Sequence, residues 1–428
     1  MGQTMAEKLF SRKNKTGEKV KAGDYIDALV DGIMLELPFP QVHDHMLKAG
    51  IKGGLSKVWD KDRVYYIMDH FQPAPNVKIS EENRVGRELA LKLGLTHFHE
   101  STPSISHQVM CEEGYVLPGE LVPGNDSHST MYGAMNAGGT GMGEADLAYA
   151  LTFGELWFQV PHSIKIELKG KAKSYPFAKD VMLHLAGKYG DDFGQYKALE
   201  FCGPVVSDMP VSDRMCLSVQ SVELAAKFGF FPADDKLKEF LEPRAKRPYE
   251  PLVADSDAEY VSTIEVDVDK LDFYVAKPHS IGNVATVDEV AGTKIVQAVL
   301  GSCANGRYED ILVAAKLLKG KKIPHHIRFL VSPASWQVYR KCIVDGLIVD
   351  LIDAGAQILE PGCGCCQPMK GYLSPGEVCI TSTTRNFKGR LGSPESFVYL
   401  AGPATIVASA LKGEITNPKE LLSEHYPR

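Results

Sequence analysis

Four of the nine cysteines constrain this 428-residue chain more than any other feature. Cys303 stands in Leu300-Gly-Ser-Cys-Ala-Asn-Gly306, and the Gly-rich run Pro361-Gly-Cys-Gly-Cys-Cys-Gln-Pro368 carries Cys363, Cys365 and Cys366. An odd count with three bunched thiols is not a secreted disulfide framework. It reads as metal ligation or redox chemistry in a reducing compartment. Glycine lets the chain bend tightly and exposes amides to sulfur, so thiolates in such turns can converge on a metal. Cys363 and Cys366 form a Cys-x-x-Cys pair with Cys365 between them. Three thiolates with an open fourth position suit an iron–sulfur cluster with one iron lacking a cysteine. Structural zinc with Cys365 as fourth ligand, and thiol redox chemistry, stay open on spacing alone. Cys202, Cys216, Cys342 and Cys379 lie in apolar surroundings and are expected as small buried hydrophobes.

Around these turns the sequence alternates in the manner of an α/β protein. At ~100–200 residues per domain the length implies two or three domains. Val64–Met68 is a compact buried-strand run ending at Asp69-His70, and ligand groups collect at strand carboxyl ends in such folds. Thr4-x-x-Glu7 predicts a capping box, and helices are expected over 81–93, 145–158, 177–189 and 219–228. Strands are expected over 163–168 and 263–268. The Thr96–Gly143 stretch, rich in Gly, Ser, His and Asn, shows no clear period and is expected to build a site. Prolines and dense charge over 242–257 read as linker chemistry. Strands at 294–300 and 327–331 then alternate with helices at 309–318 and 336–345. The expected domains are 1–250, a linker over 251–284, and a cysteine-bearing domain over 285–428.

Composition excludes some classes. A net charge of −7 argues against a constitutive nucleic-acid binder. No apolar run approaches the ~18 residues of a membrane helix, the N-terminus has no secretory apolar core, and Ala6 spoils a myristoylation signal. A cytoplasmic address is the expectation. Gly138-Gly-Thr-Gly-Met-Gly143 lacks the closing glycine and the preceding strand of a dinucleotide loop.

Histidine–acid neighbours recur in the first 130 residues: His43-Asp44, Asp69-His70 and Asp126-Ser127-His128, with His107 beside Gln108. A carboxylate fixes a histidine's tautomer and raises its basicity, as delivery of a proton to a leaving hydroxyl requires. Arg385-Asn-Phe-Lys-Gly-Arg390 places two guanidinium groups about a turn, and such groups clamp carboxylates in pairs.

Taken together, His107-Gln-Val-Met-Cys-Glu-Glu-Gly114, Gly124-Asn-Asp-Ser-His-Ser-Thr-Met-Tyr-Gly133, Gly138–Gly143 with Asp146-Leu-Ala-Tyr-Ala150, Gly301–Asp310, Gly362–Cys366, Arg385–Arg390 and Tyr399-Leu-Ala-Gly-Pro-Ala404 resemble the aconitase superfamily. The likeness covers nearly the whole chain. It is greatest to the branch in which a large subunit of isopropylmalate isomerase or homoaconitase type carries the cluster. The resemblance implies a three-domain aconitase-like α/β core without the fourth, swivelling domain. It implies a [4Fe-4S] cluster held by Cys303, Cys363 and Cys366, with Cys365 unligated and one iron left for substrate. It implies that Asp69-His70 protonates a departing hydroxyl, that His107 pairs with Asp126, and that His128 and Glu223 hydrogen-bond iron-bound water. His43, Ser127, Arg385 and Arg390 are expected at substrate. The implied activity is reversible dehydration of a small 2-hydroxy di- or tricarboxylic acid, with 3-isopropylmalate first. Homoaconitase and methylmalate, dimethylmalate or maleate hydratase are alternatives within the family. A cluster-free RNA-binding regulator is the reading from another class. A small, swivel-domain subunit is expected to supply the base.

One departure stands out. Where the family carries Asn-Met upstream of the glutamate, this chain has Val219-Gln220. Val219 is expected near the open iron, with Gln220 compensating for the lost amide.

Overall fold

The computed structural model describes residues 2–36, 39–102, 104–366 and 370–426; Met1, Gln367 and Pro368, which belong to motifs read in the sequence, lie outside these. Contacts divide the chain into two units, residues 1–169 with 194–266, and residues 170–193 with 267–428. This division differs from the expected boundaries. The 170–193 segment groups with the C-terminal unit, and the stretch read as a linker contains strands Ser262–Asp267 and Tyr274–Ala276.

In the N-terminal unit, five short strands form a parallel sheet in the order His97–His99, Val64–Ile67, Ile33–Leu35, Leu121–Gly124, Gly138–Gly141. Val64–Ile67 and Ile33–Leu35 are buried throughout, as expected of parallel strands covered on both faces. From Ile33–Leu35 the chain winds to one side and then returns to the other at Leu121–Gly124. The crevice at the carboxyl ends of those two strands is therefore a topological switch point, where open α/β sheets bind ligands. A second sheet is ordered Phe228–Phe230, Ala198–Cys202, Ser163–Lys169, Ser262–Asp267, and Tyr25–Leu29 pairs antiparallel with Glu155–Gln159.

The C-terminal unit repeats the logic. Its seven strands run Val284–Thr286, Tyr274–Ala276, Phe397–Ala401, Val378–Thr381, Gln297–Gly301, Arg328–Ser332, Gln357–Ile358, the last five mutually parallel. Here the winding reverses between Gln297–Gly301 and Val378–Thr381. Helices Tyr308–Leu318, Trp336–Val344, Leu347–Ala354 and Pro403–Lys412 pack an apolar core that includes Ile311, Phe329, Leu351 and Val407.

The Thr4–Glu7 capping box forms as read, and the helix expected over 81–93 begins earlier, at Val77, where the Asn76 side chain caps it. Three expectations are corrected. The helix expected over 145–158 is Glu144–Phe153 followed by a strand. It stops at Gly154, where φ is +73° and the Trp59 ring lies where a Cβ would go. The helix expected over 219–228 is Val211–Gln220, then a 3-10 turn Ser221–Leu224, then strand Phe228–Phe230, with Ala225 at φ +60° breaking the run. The stretch 96–143 is not irregular: it holds three strands of the five-stranded sheet, a helix and a long 3-10 segment. Among the described residues no helix is long and apolar enough to cross a membrane.

Candidate active site

In the N-terminal unit the acidic and histidine side chains gather just beyond the strand ends at the switch point. Asp69 and His70 follow Val64–Ile67. Asp69, only 3% exposed, accepts the Ser106 N–H on Oδ2 at 2.8 Å, and its Oδ1 lies 2.6 Å from His70 Nδ1. Burial alone raises this carboxyl. The charge and hydrogen bond of His70 and the Ser106 amide outweigh it and hold Asp69 well below the usual carboxylate range.

His107 opens the adjoining helix Ser106–Glu112. Its Nε2 is 2.6 Å from Asp126 Oδ1 and its Nδ1 is 3.2 Å from the Tyr132 hydroxyl. Asp126 caps the 3-10 segment Ser127–Met135 by accepting the His128 N–H at 2.8 Å. The His128 ring reaches Glu223 through Nε2 at 2.9 Å. Burial works against charge at both residues, but the mutual hydrogen bonds prevail. Those from His107 and His128 keep Asp126 well below its usual range, and those to Asp126 and Glu223 push His128 up to about 9. The structure thus joins Asp69 with His70, His107 with Asp126, and His128 with both Asp126 and Glu223.

Sequence reading missed Glu36, which follows Ile33–Leu35. It is 4% exposed, and its Oε2 lies 2.6 Å from His70 Nδ1. The Asn125 amide brackets its main chain, accepting Glu36 N–H at 2.8 Å and donating to Glu36 C=O at 3.0 Å. An acid placed directly after a buried apolar run was the available signal, the same pattern that marks Asp69.

His43 is engaged elsewhere. Its Nδ1 accepts the Leu55 N–H at 3.0 Å, and its ring covers Gly54. Ser127 is the first residue of the 3-10 segment. Val219 and Gln220 are both fully buried. The Gln220 amide donates to Cys216 C=O at 3.0 Å within its own helix.

In the C-terminal unit, strand Gln297–Gly301 delivers Cys303 on the short helix Ser302–Asn305. Gly301 is required there: its φ is +154°, and a Cβ would come within 2.6 Å of Ser332 C=O. Arg307, buried beneath the turn, donates to Cys303 C=O at 2.6 Å and Ala304 C=O at 2.8 Å. The Asp310 carboxylate accepts both the Arg307 N–H and the Asn305 amide. The second cysteine turn packs against this helix. It is pinned by Ser332, whose hydroxyl donates to Gly362 C=O at 3.1 Å, and Gly364 turns at φ +58° directly over the Ser332 side chain.

Cys303 and Cys366 are buried and Cys363 half-buried. Cys365 packs in an apolar cluster with Val299, Leu330, Leu373 and Cys379, and burial pushes its thiol up to about 12. Arg390, expected at substrate, has Nη2 3.4 Å from Cys366 Sγ, and the Thr384 hydroxyl is 3.9 Å from the same sulfur. A guanidinium beside a sulfur favours the thiolate that a metal needs. Arg385, half-buried, follows Val378–Thr381. Three thiols on two packed turns, with the adjacent fourth committed to the core, fit a metal group held by three cysteines better than a four-cysteine zinc site.

The profile described as "Aconitase family (aconitate hydratase)" matches residues 78–413. The chain is 41% identical over 424 residues to 3-isopropylmalate dehydratase large subunit 1 of Methanopyrus kandleri, covering 99% of this chain and 100% of that one. It is 39% identical over 418 residues to the probable methanogen homoaconitase large subunit of Methanothermobacter thermautotrophicus, covering 97% of each. Among solved structures, holo-form Thermococcus kodakaraensis aconitase X shares the fold at TM-score 0.51 and 14% identity, over 87% of this chain and 89% of that one.

Proposed function

The chain belongs to the aconitase family, and on that footing we propose that it is the large subunit of a hydro-lyase acting on 3-isopropylmalate, completed by a small subunit. The relative described as a homoaconitase large subunit makes that activity the second to test. The observation that carries the reading is the buried Asp69–His70 pair at the switch point. A carboxylate on Nδ1 orients the ring and leaves Nε2 as the atom that passes a proton to a departing hydroxyl.

In this reading Cys303, Cys363 and Cys366 hold a [4Fe-4S] cluster and Cys365 does not. When bound, such a cluster supplies an iron without a cysteine ligand, a Lewis acid for the substrate's hydroxyl and carboxylate. The chain's own residues do the rest. His70 delivers the proton. His107, ordered by Asp126 and Tyr132, and His128, ordered by Asp126 and Glu223, offer ring nitrogens to water and substrate oxygens. Arg385 receives a substrate carboxylate, while Arg390 steadies the Cys366 sulfur. Abstraction of the proton alpha to the carboxylate falls to the small subunit.

Anaerobic purification followed by iron and sulfide analysis, then assay with and without a small subunit from a 3-isopropylmalate dehydratase, tests the proposal. Turnover is expected from the mixture only. Full turnover by the isolated chain sinks the two-subunit reading, and a chain without iron and sulfide sinks the cluster.

A further inference from the structure

Glu36 poses a problem of charge. One imidazole Nδ1 carries one proton, and two carboxyl groups approach it at 2.6 Å, Asp69 Oδ1 and Glu36 Oε2. The aligned hydrogen bond goes to Asp69, which also has the Ser106 amide. Glu36 Oε2 is buried and, among the described residues, no donor is aligned on it. An oxygen of Asp126 completes a group with Glu36 and His70 whose atoms all lie within 4.8 Å of one another. The groups that bear electrostatically on Glu36 are Asp69 and His70 beyond Val64–Ile67, Asp126 beyond Leu121–Gly124, Tyr132 of the 3-10 segment and Tyr66 of the neighbouring strand. Apart from His70 these are acids or neutral phenols. An ionised Glu36 would therefore stand among like charges, its Oε2 competing for the one Nδ1 proton that is already aligned on Asp69.

We propose that Glu36 is carried as a neutral carboxylic acid that donates to Asp69, so that the two carboxyls share one negative charge behind His70 and fix its Nδ1 proton. Protonation turns the orphaned oxygen into a donor, removes the like-charge contact and leaves Asp69 as the sole anion on the ring. Burial and the Asp69 charge both drive Glu36 well above the ordinary carboxyl range, in agreement with the geometry. Glu36 is thus a positioning residue: it acts on Asp69 and, through it, on the imidazole. A protonated acid holds the pair at one charge over a wide pH range, so the donor strength of His70 does not drift as the solution changes. That His70 protonates a leaving hydroxyl rests on the hydro-lyase reading. The ionisation state of Glu36 does not.

Infrared difference spectroscopy on the full chain, wild type minus Glu36→Gln, reads that state directly. At neutral pH a protonated-carboxyl C=O band is expected in the wild type and absent from the variant. A carboxylate band lost in its place overturns the proposal. Should Glu36→Gln not fold, wild-type chain labelled at its glutamate carboxyl carbons answers instead: the resonance assigned to Glu36 by its proximity to the His70 ring is expected to hold its protonated shift at neutral pH, and a carboxylate shift there overturns the proposal. A protonated band in a chain that never turns over would keep the pair and sink the hydro-lyase reading, so the two failures are told apart.

Discussion

Among their parallel strands the two units share a winding order, in which the first lies between the second and the fourth, and each gathers its candidate site residues where that order reverses. They prepare that place by opposite means. In the N-terminal unit the side chains hold one another: Glu36 and Asp69 with His70, His107 with Asp126, His128 with Glu223. In the C-terminal unit it is the main chain that is held. Gly301 and Gly364 take left-handed turns against Ser332, and Arg307 grips the carbonyls of residues 303 and 304. Proton transfer needs tautomers and charges fixed in advance, which only a closed hydrogen-bond network provides. Receiving a bulky inorganic group needs sulfurs held at the right spacing, and backbone geometry sets spacing.

The largest effects should divide the units cleanly. Cys303→Ser, Cys363→Ser and Cys366→Ser should each leave anaerobically prepared chain without iron and sulfide, whereas Cys365→Ser and Asp69→Asn should retain both. Asp69→Asn should then lose turnover in the reconstituted enzyme. Iron loss from the Asp69 variant, or from Cys365→Ser alone, breaks the comparison.

A smaller effect tests whether the N-terminal network is ionic. The folded-state pKa of His128 is raised from 6.5 to about 9. Its contribution is therefore present in full below pH 6.5 and is lost as pH rises through about 9, amounting to about 3 kcal/mol. Denaturant unfolding of the isolated chain should show this loss in the wild type, and His128→Gln should flatten it. Parallel pH profiles for the two proteins would mean that the histidine is neutral in the folded state.

The smallest effects concern the helix Val211–Gln220. Val219→Asn buries an amide and should cost about 1–3 kcal/mol. Gln220→Met, close in volume and losing the bond to Cys216 C=O, should cost less than about 1.5 kcal/mol. A neutral Val219→Asn would reveal a polar partner waiting at that position and would place it within the proton-handling network.

Much of this was legible in the sequence because it is local. The Asp69-His70 neighbours, the Thr4–Glu7 cap and the glycine-flanked cysteines announce themselves within a few residues. What escaped is what distant segments decide. Nothing near residue 154 tells that Trp59 closes the space beside Gly154 and ends a helix. Glu36 has no histidine beside it in the sequence. It meets His70 because Leu35 and Tyr66 pair across parallel strands, which brings the two strand ends level. Arg390 looked like a substrate clamp from its spacing to Arg385, and only the folded turn shows one of its nitrogens at a sulfur.

The Asn125 clamp carries a consequence for divergence. Its amide reads the N–H and C=O of residue 36 and ignores the side chain, continuing the sheet by one rung beyond the last strand pair. These two contacts hold the backbone at residue 36 whatever side chain it carries. A substitution there changes the charge beside His70 while leaving the Asn125 clamp on the main chain in place.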